Sequence, residues 1–509
     1  MKYLKLKNSF IVFFFCFFSQ LVSAQSGYNI TIKMKNCTDT IAFLTYYQMD
    51  KTYIKDTCKS IKDGKIVFKG KEKLASGIYS LVNQKKAIAF DFFVDENTQN
   101  LKLEGDSNNF RREATAENAE QENEFFSYIK FLTGENEKFF AAKEQVRGLS
   151  KKDSLARMMN LRKELDLSLQ DYEQKLAEKN KGTYLGNFMN LKMEKTLKDP
   201  PLASNGRIDS LKVYRYYRNH YWDGVDFKDD AITRNPFFST KLKSYFDNVI
   251  VKHPDSVIVE IDKMMLKPAR DSMLFKLLLA HFTLTYETYN VMGFDKVFVH
   301  IVDNYFKTGK AVGTYEDDVI EKIIKRSDKL KPLLIGTVAP ELSMIRASDR
   351  AKIASKGFEN AKTSDEVTKL FYDNIAEINT LFYKLHDVAA DYLILVFWDV
   401  DCGHCQKEIP KLLDLYHELQ KEKKDVKVYS VYTEKEGDKY AKYIEEHKLD
   451  WINVYDGVFY NNVREKYDVY STPVIYVLDK SKVIKAKRVA VEQIKQVIND
   501  IELEYKTAK

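Results

Sequence analysis

The stretch Leu393-Ile-Leu-Val-Phe-Trp-Asp-Val-Asp-Cys402-Gly-His-Cys405-Gln-Lys-Glu-Ile-Pro410 decides how this chain is read. Residues 393–398 are apolar without a break, the pattern of a strand buried on both faces. Further on, Leu412, Leu413, Leu415, Tyr416 and Leu419 recur at helical spacing. The tetrapeptide Cys402-Gly-His-Cys405 therefore falls where a strand hands over to a helix. A helix N-terminus carries partial positive charge and unpaired N–H groups, and both favour a thiolate over a thiol. Only the thiolate attacks a disulfide. With two residues between them, Cys405 can reach back and close a ring with Cys402. The expectation is a dithiol redox site with Cys402 as nucleophile and Cys405, one turn in, as resolving thiol. A zinc site would need two further ligands, and the sequence has no second CxxC and no HxxxH. Neither a metal nor a cofactor is expected.

A CxxC beside a strand-helix pattern is a thioredoxin-like signature, and the stretch resembles the TlpA/ResA-type periplasmic thiol-disulfide oxidoreductases. Their FWxxxCxxCxxExP pattern is matched by Phe397, Trp398, Cys402, Cys405, Glu408 and Pro410. The resemblance implies a thioredoxin fold that exchanges disulfides with cysteine-containing envelope proteins and with a redox partner protein. It gives Trp398 a supporting place and makes Glu408 the carboxylate that handles the cysteine protons, since Val396 stands where cytosolic thioredoxins keep a buried aspartate. Thr472-Pro473 resembles the cis-proline loop opposite the cysteines, which would offer the backbone of residue 472 to a client strand. CGHC is also the tetrapeptide of protein disulfide isomerases. That likeness implies a thiolate-stabilising role for His404. The plainer alternatives are a solvent-facing His404, a surface Glu408 and an ordinary trans proline. One departure stands out: Asp401 occupies the place of the aromatic residue common before the first cysteine.

A chain of 509 residues suggests about three domains. Its 44% hydrophobic and 13% aromatic content excludes a disordered chain. The formal charge of +7, with Lys and Glu interspersed, is too small to argue for nucleic acid. Residues 1–24 read as a secretory signal peptide: Lys2, Lys5 and Lys7 precede an apolar run over 10–18, and Val22-Ser23-Ala24 supplies a cleavage site. That run is too short to span a bilayer, and no later stretch is long enough, so the chain is not expected to be membrane-spanning. Cys16 lies among phenylalanines, which disfavours a lipoprotein anchor. The expected location is the periplasm or cell envelope of a Gram-negative bacterium. After cleavage four cysteines remain, too few for a disulfide-stapled scaffold. Cys37 and Cys58 read as two small half-buried residues, with a bond between them left open.

The whole reads as multidomain. Residues 25–112 show short alternating strands, the pattern of a small all-β sandwich or barrel, with Asp63-Gly64 as a turn. Residues 113–330 turn mainly α-helical, with a Ser150-x-x-Asp153 capping box ahead of Leu155, Met158, Leu161 and Leu165 on one face. The acids Asp223, Asp226, Asp229 and Asp230 read as caps and loop, and His300 as a packed histidine. Residues 331–509 read as an α/β thioredoxin fold, entered past a linker at Pro332 and interrupted by an insertion at about 347–378. Both N-terminal parts resemble those that precede TlpA-like domains. Two rival functions stay open. One is an envelope binding protein whose N-terminal domains carry the main role, and the other is a disulfide isomerase.

Overall fold

The computed structural model describes residues 27–148, 150–195, 197 and 199–507. The signal segment 1–24 and Cys16 lie outside the described residues. The chain forms two units that meet between Ser244 and Tyr245.

The first unit begins with eight strands: β1 (Tyr28–Lys35), β2 (Ala42–Gln48), β3 (Lys51–Cys58), β4 (Lys65–Gly70), β5 (Gly77–Asn83), β6 (Ile88–Val94), β7 (Asn100–Asp106) and β8 (Thr115–Ala116). They form two sheets, ordered β4-β1-β7-β8 and β3-β2-β5-β6. Alternation works as expected: Ile30, Ile32 and Met34 of β1 point into the core. Asp63 and Gly64 both take left-handed φ, at 51° and 67°. A side chain at Gly64 would meet the Met34 carbonyl oxygen at 2.1 Å, so this turn requires glycine. Cys37 and Cys58 are free thiols. The helices that follow, Glu120–Gln145, Lys151–Lys179 and Tyr184–Lys192, continue the same core, with Phe93 of β6 packed on Phe125 and Phe188. Ser150 caps its helix, its Oγ accepting from the Asp153 N–H at 3.2 Å. Leu161 and Leu165 are buried as the periodicity predicts, but Leu155 is 64% exposed near the tip of the helical hairpin. Asp229 caps Ala231, and Asp223 takes a hydrogen bond with His220 at 2.6 Å.

The second unit opens with helices Pro254–Met265, Met273–Glu287, Asp295–Ile301 and Asp317–Leu330. His300 packs there against Asp262 at 3.0 Å. A seven-stranded sheet follows, built from β9 (Ser343–Arg346), β10 (Phe382–Lys384), β11 (Tyr392–Trp398), β12 (Val426–Tyr432), β13 (Ile452–Tyr455), β14 (Val474–Asp479) and β15 (Ile484–Lys487). Its order is β10-β9-β13-β12-β11-β14-β15. Strand β11 is central, parallel to β12 and antiparallel to β14, and all seven of its residues are buried. Ile394, Val396 and Trp398 face a core shared with helices Cys405–Lys421, Gly437–His447 and Val491–Thr507. Leu393, Leu395 and Phe397 face the opposite core with Leu342, Tyr467 and Tyr476. This order of strands and helices is a thioredoxin-like α/β fold.

The lead-in to the sheet is structured. Gly336 donates to the Ile484 carbonyl at 2.8 Å, and Ala339 donates to that of Lys482 at 2.9 Å. Lys487, buried, pairs with Asp295 and donates to the Leu333 carbonyl at 2.7 Å. The inserted stretch forms helices Arg350–Ala354, Ser364–Asp373 and Ile375–Leu381. Thr363 caps the second of these, and Ile353, Phe358 and Ile378 are buried in the core that holds Trp398.

Trp398 ends β11 fully buried, its Nε1 donating to Ser430 Oγ at 2.7 Å. Ser430 Oγ also lies 3.2 Å from the Tyr440 hydroxyl. Ser430→Ala removes the 2.7 Å acceptor of a buried indole N–H and leaves it only the Tyr440 hydroxyl, so the unfolding free energy should fall by ~1 kcal/mol. Urea titration of the full chain followed by tryptophan fluorescence measures it, and an unchanged midpoint would refute the claim.

Candidate active site

The site grows from the end of β11. Beyond Trp398, the Cys402 N–H donates to the Asp399 carbonyl at 3.2 Å and that of Asp401 to Asp399 Oδ1 at 3.0 Å. The helix then starts at Cys405, later than the sequence suggests. Cys402 lies just ahead of it, its carbonyl accepting from Gln406 at 3.0 Å. Its sulfur stands where a capping side chain stands, 3.4 Å from the Cys405 nitrogen. On the other side the Cys402 Sγ donates to the Thr472 carbonyl at 3.3 Å. The Thr472–Pro473 peptide bond is cis.

The two sulfurs differ in environment. Cys402 is partly exposed, whereas Cys405 is buried as the first helical residue. Burial alone would raise the Cys402 pKa. Hydrogen bonds from the Cys405 thiol, from the Thr472 hydroxyl and from the N–H groups of Cys405 and His404 outweigh it, leaving this thiol below its ordinary value. Burial pushes the Cys405 thiol up to about 12, and the adjacent Cys402 sulfur adds to the rise. The pair thus holds one proton tightly, on Cys405, and the other loosely.

The remaining sequence candidates fall at different distances from this pair. His404 is exposed and reaches Cys402 through its backbone N–H. Trp398 lies beneath the site in the core, edge-on to Tyr440 and Tyr443. Glu408 pairs with Lys411 at 2.8 Å, and Lys411 bridges onward to Glu492 at 3.1 Å. Asp401 forms an ion pair with Lys439. Sequence reasoning missed Ser430 and Asp399. The first was detectable as the small polar residue on the otherwise bulky inner positions of β12; the second acts through its backbone carbonyl as well as its carboxylate, and the carbonyl leaves no mark on sequence. Among the described residues no group of three or more His, Cys, Asp or Glu side chains is placed to hold a metal ion. Among them, too, no helix is long and apolar enough to cross a membrane.

Residues 376–487 match the AhpC/TSA family. The C-terminal part of this chain belongs to that family. This AhpC/TSA segment is a thioredoxin-like domain of the thiol-disulfide oxidoreductase kind. Residues 201–328 and 28–125 match two families each described as a domain of unknown function, DUF5106 and DUF4369. No curated protein matches the chain. Among solved structures, the chain is similar to a domain of a possible thiol-disulfide isomerase from Cytophaga hutchinsonii, at 33% identity and TM-score 0.27, over 35% of this chain and 98% of that one. It is also similar to a thioredoxin-like protein from Bacteroides caccae, at 20% identity and TM-score 0.40, over 60% and 99% of the two chains. A third is the thioredoxin domain of a thiol-disulfide oxidoreductase from Bacteroides vulgatus, at 23% identity and TM-score 0.25, over 33% and 96%.

The asymmetry of the AhpC/TSA-segment thiols sets the pH dependence. Because the Cys402 pKa is lowered, its thiolate persists below the pH at which an ordinary cysteine is half ionised, and is lost on further acidification. Iodoacetamide labelling of the reduced full chain should modify Cys402 first, with a midpoint below the ordinary ~8.5. Cys405 should stay unlabelled until Cys402 is blocked. Peptide mass spectrometry across pH reads both; equal labelling of the two cysteines would contradict the asymmetry.

Proposed function

We propose that this protein is an exported thiol-disulfide oxidoreductase of the TlpA/ResA type, acting through Cys402 and Cys405 on cysteine-containing proteins of the cell envelope. The observation that carries the reading is the pairing of a partly exposed, easily ionised sulfur with a buried, strongly protonated one. In the first step the Cys402 thiolate attacks one sulfur of a client disulfide. A Cys402–client bond forms as the client bond breaks, and the other client sulfur leaves as a thiolate that takes up a proton. In the second step Cys405 loses its proton and attacks the Cys402 sulfur. The Cys402–Cys405 disulfide forms and the second client thiolate departs. Two electrons have then moved from the dithiol to the client, and a redox partner protein returns them.

Cys405 becomes easier to ionise once the mixed disulfide exists. Part of its raised pKa comes from hydrogen bonding and charge at the Cys402 sulfur. Both are removed when that sulfur is tied to the client. Client backbone would lie against Thr472, whose carbonyl already faces Cys402. Glu408, neutralised by Lys411, supports the helix more than the proton transfer in this scheme.

Two tests follow. Cys405→Ser should accumulate mixed disulfides through Cys402, and Cys402→Ser should form none, as read by mass spectrometry of trapped adducts. Adducts through Cys405 would reverse the assignment. Glu408→Gln should leave insulin reduction within about threefold of wild type, a change below ~1 kcal/mol; a larger loss confined to the resolving step would restore Glu408 as base.

A further inference from the structure

The loop that meets Cys402 is held by a residue from outside the sheet. Asp468 begins the run Asp468-Val-Tyr-Ser-Thr472-Pro473 with a left-handed φ of 55°, and it is 4% exposed. A carboxylate so buried requires charged partners. Arg326, on helix Asp317–Leu330, supplies both nitrogens of its fork, pairing Nη1 with Oδ1 and placing Nη2 at 3.2 Å from Oδ2. Such bidentate pairs fix geometry as well as charge. Arg488 donates to the Asp468 carbonyl at 2.5 Å and to Oδ2 at 2.9 Å, while its own N–H reaches the Ile475 carbonyl at 2.7 Å. Arg326 also donates to the Tyr470 hydroxyl at 3.2 Å, its guanidinium 5.5 Å from that ring's centre. Tyr470 is 71% exposed, two residues before the carbonyl that accepts from Cys402.

We propose that Arg326 is a positioning residue for disulfide exchange: it holds the 468–472 loop so that Thr472 meets the Cys402 sulfur and Tyr470 stands beside an arriving client polypeptide. The proposal rests on exchange at Cys402. Its chemistry is that of a buried anchor. Arg326 fixes one end of the loop through Asp468, and Arg488 ties the same carboxylate to β14 on the far side of Thr472. Without the fork, Asp468 keeps only Arg488, and the loop is free to draw away from the cysteine. Both the Thr472 contact and the client's backbone register then weaken.

Arg326→Gln in the full chain tests this. The iodoacetamide midpoint of Cys402 should rise by about half a pH unit as the Thr472 hydroxyl, whose hydrogen bond favours the thiolate, draws away with the loop. The kcat/KM for insulin reduction should fall about tenfold, equivalent to ~1.4 kcal/mol, mainly through KM. Arg326→Lys keeps the charge but not the fork, and should show the same changes at smaller size; it decides the matter if the glutamine variant does not fold. Lys329→Gln, on the same helix as Arg326, breaks an exposed ion pair with Glu465 of the short helix Val463–Lys466 and should match wild type on both readouts. A purely structural Arg326 would lower the melting temperature and leave the Cys402 midpoint in place. A folded Arg326 variant with wild-type midpoint and kcat/KM overturns the proposal. Failure of the exchange reading itself would look different, because wild type would then not reduce insulin.

Discussion

A strand with no exposed face and no free edge cannot slip by a residue without turning its apolar set inside out. Strand β11 is in that position, paired on both sides and buried along its whole length. Its last residue, Trp398, is tied by its indole N–H to the neighbouring strand. Cys402 lies only four residues on. The sulfur therefore takes its place from the core of the sheet, and the short turn between is held by two N–H groups donating to Asp399, one to its carbonyl and one to its carboxylate.

From that fixed point the chemistry follows from where the helix starts. Because the first helical residue is Cys405, the Cys402 sulfur lies just beyond the helix end and collects N–H groups that have no carbonyl to bind. For the sulfur one turn closer to the core, burial outweighs the hydrogen bonds it receives from the Asp399 backbone and the Thr472 side chain. A negative side chain sits immediately before this thiolate, yet Asp401 is neutralised by Lys439. Stabilisation by backbone dipoles needs no nearby cation, and it persists at ionic strengths that would screen surface charges.

The central strand and the CxxC were legible because both are local. Six consecutive apolar residues and a two-residue cysteine spacing depend on nothing elsewhere in the chain. The Ser150 cap was legible for the same reason. Three features were not. Strand β13, Ile452–Tyr455, is only four residues long and reads like loop until β12 and β9 pair with it. The periodic face through Leu155 continues past the point where neighbouring surface remains to cover it. The division at Ser244–Tyr245 crosses a stretch that looks uniformly helical, because it depends on which helices pack with which sheet and not on any change in composition. Within the site, the surroundings of Glu408 and Trp398 were set by distant partners, Lys411 with Glu492 and Ser430 with Tyr440. Neither partnership has a sequence signature.

The pairing of residues 336–339 along β15 has a consequence for crowding. A sheet with open margins invites strand-to-strand association with copies of itself. Here one margin of the sheet is already occupied, since Gly336 and Ala339 donate to Ile484 and Lys482, and the Ile484 N–H returns a bond to Thr337. The opposite margin, β10, is three residues long and offers little to zip against. With one margin covered and the other short, this sheet offers little free edge for pairing with a second copy.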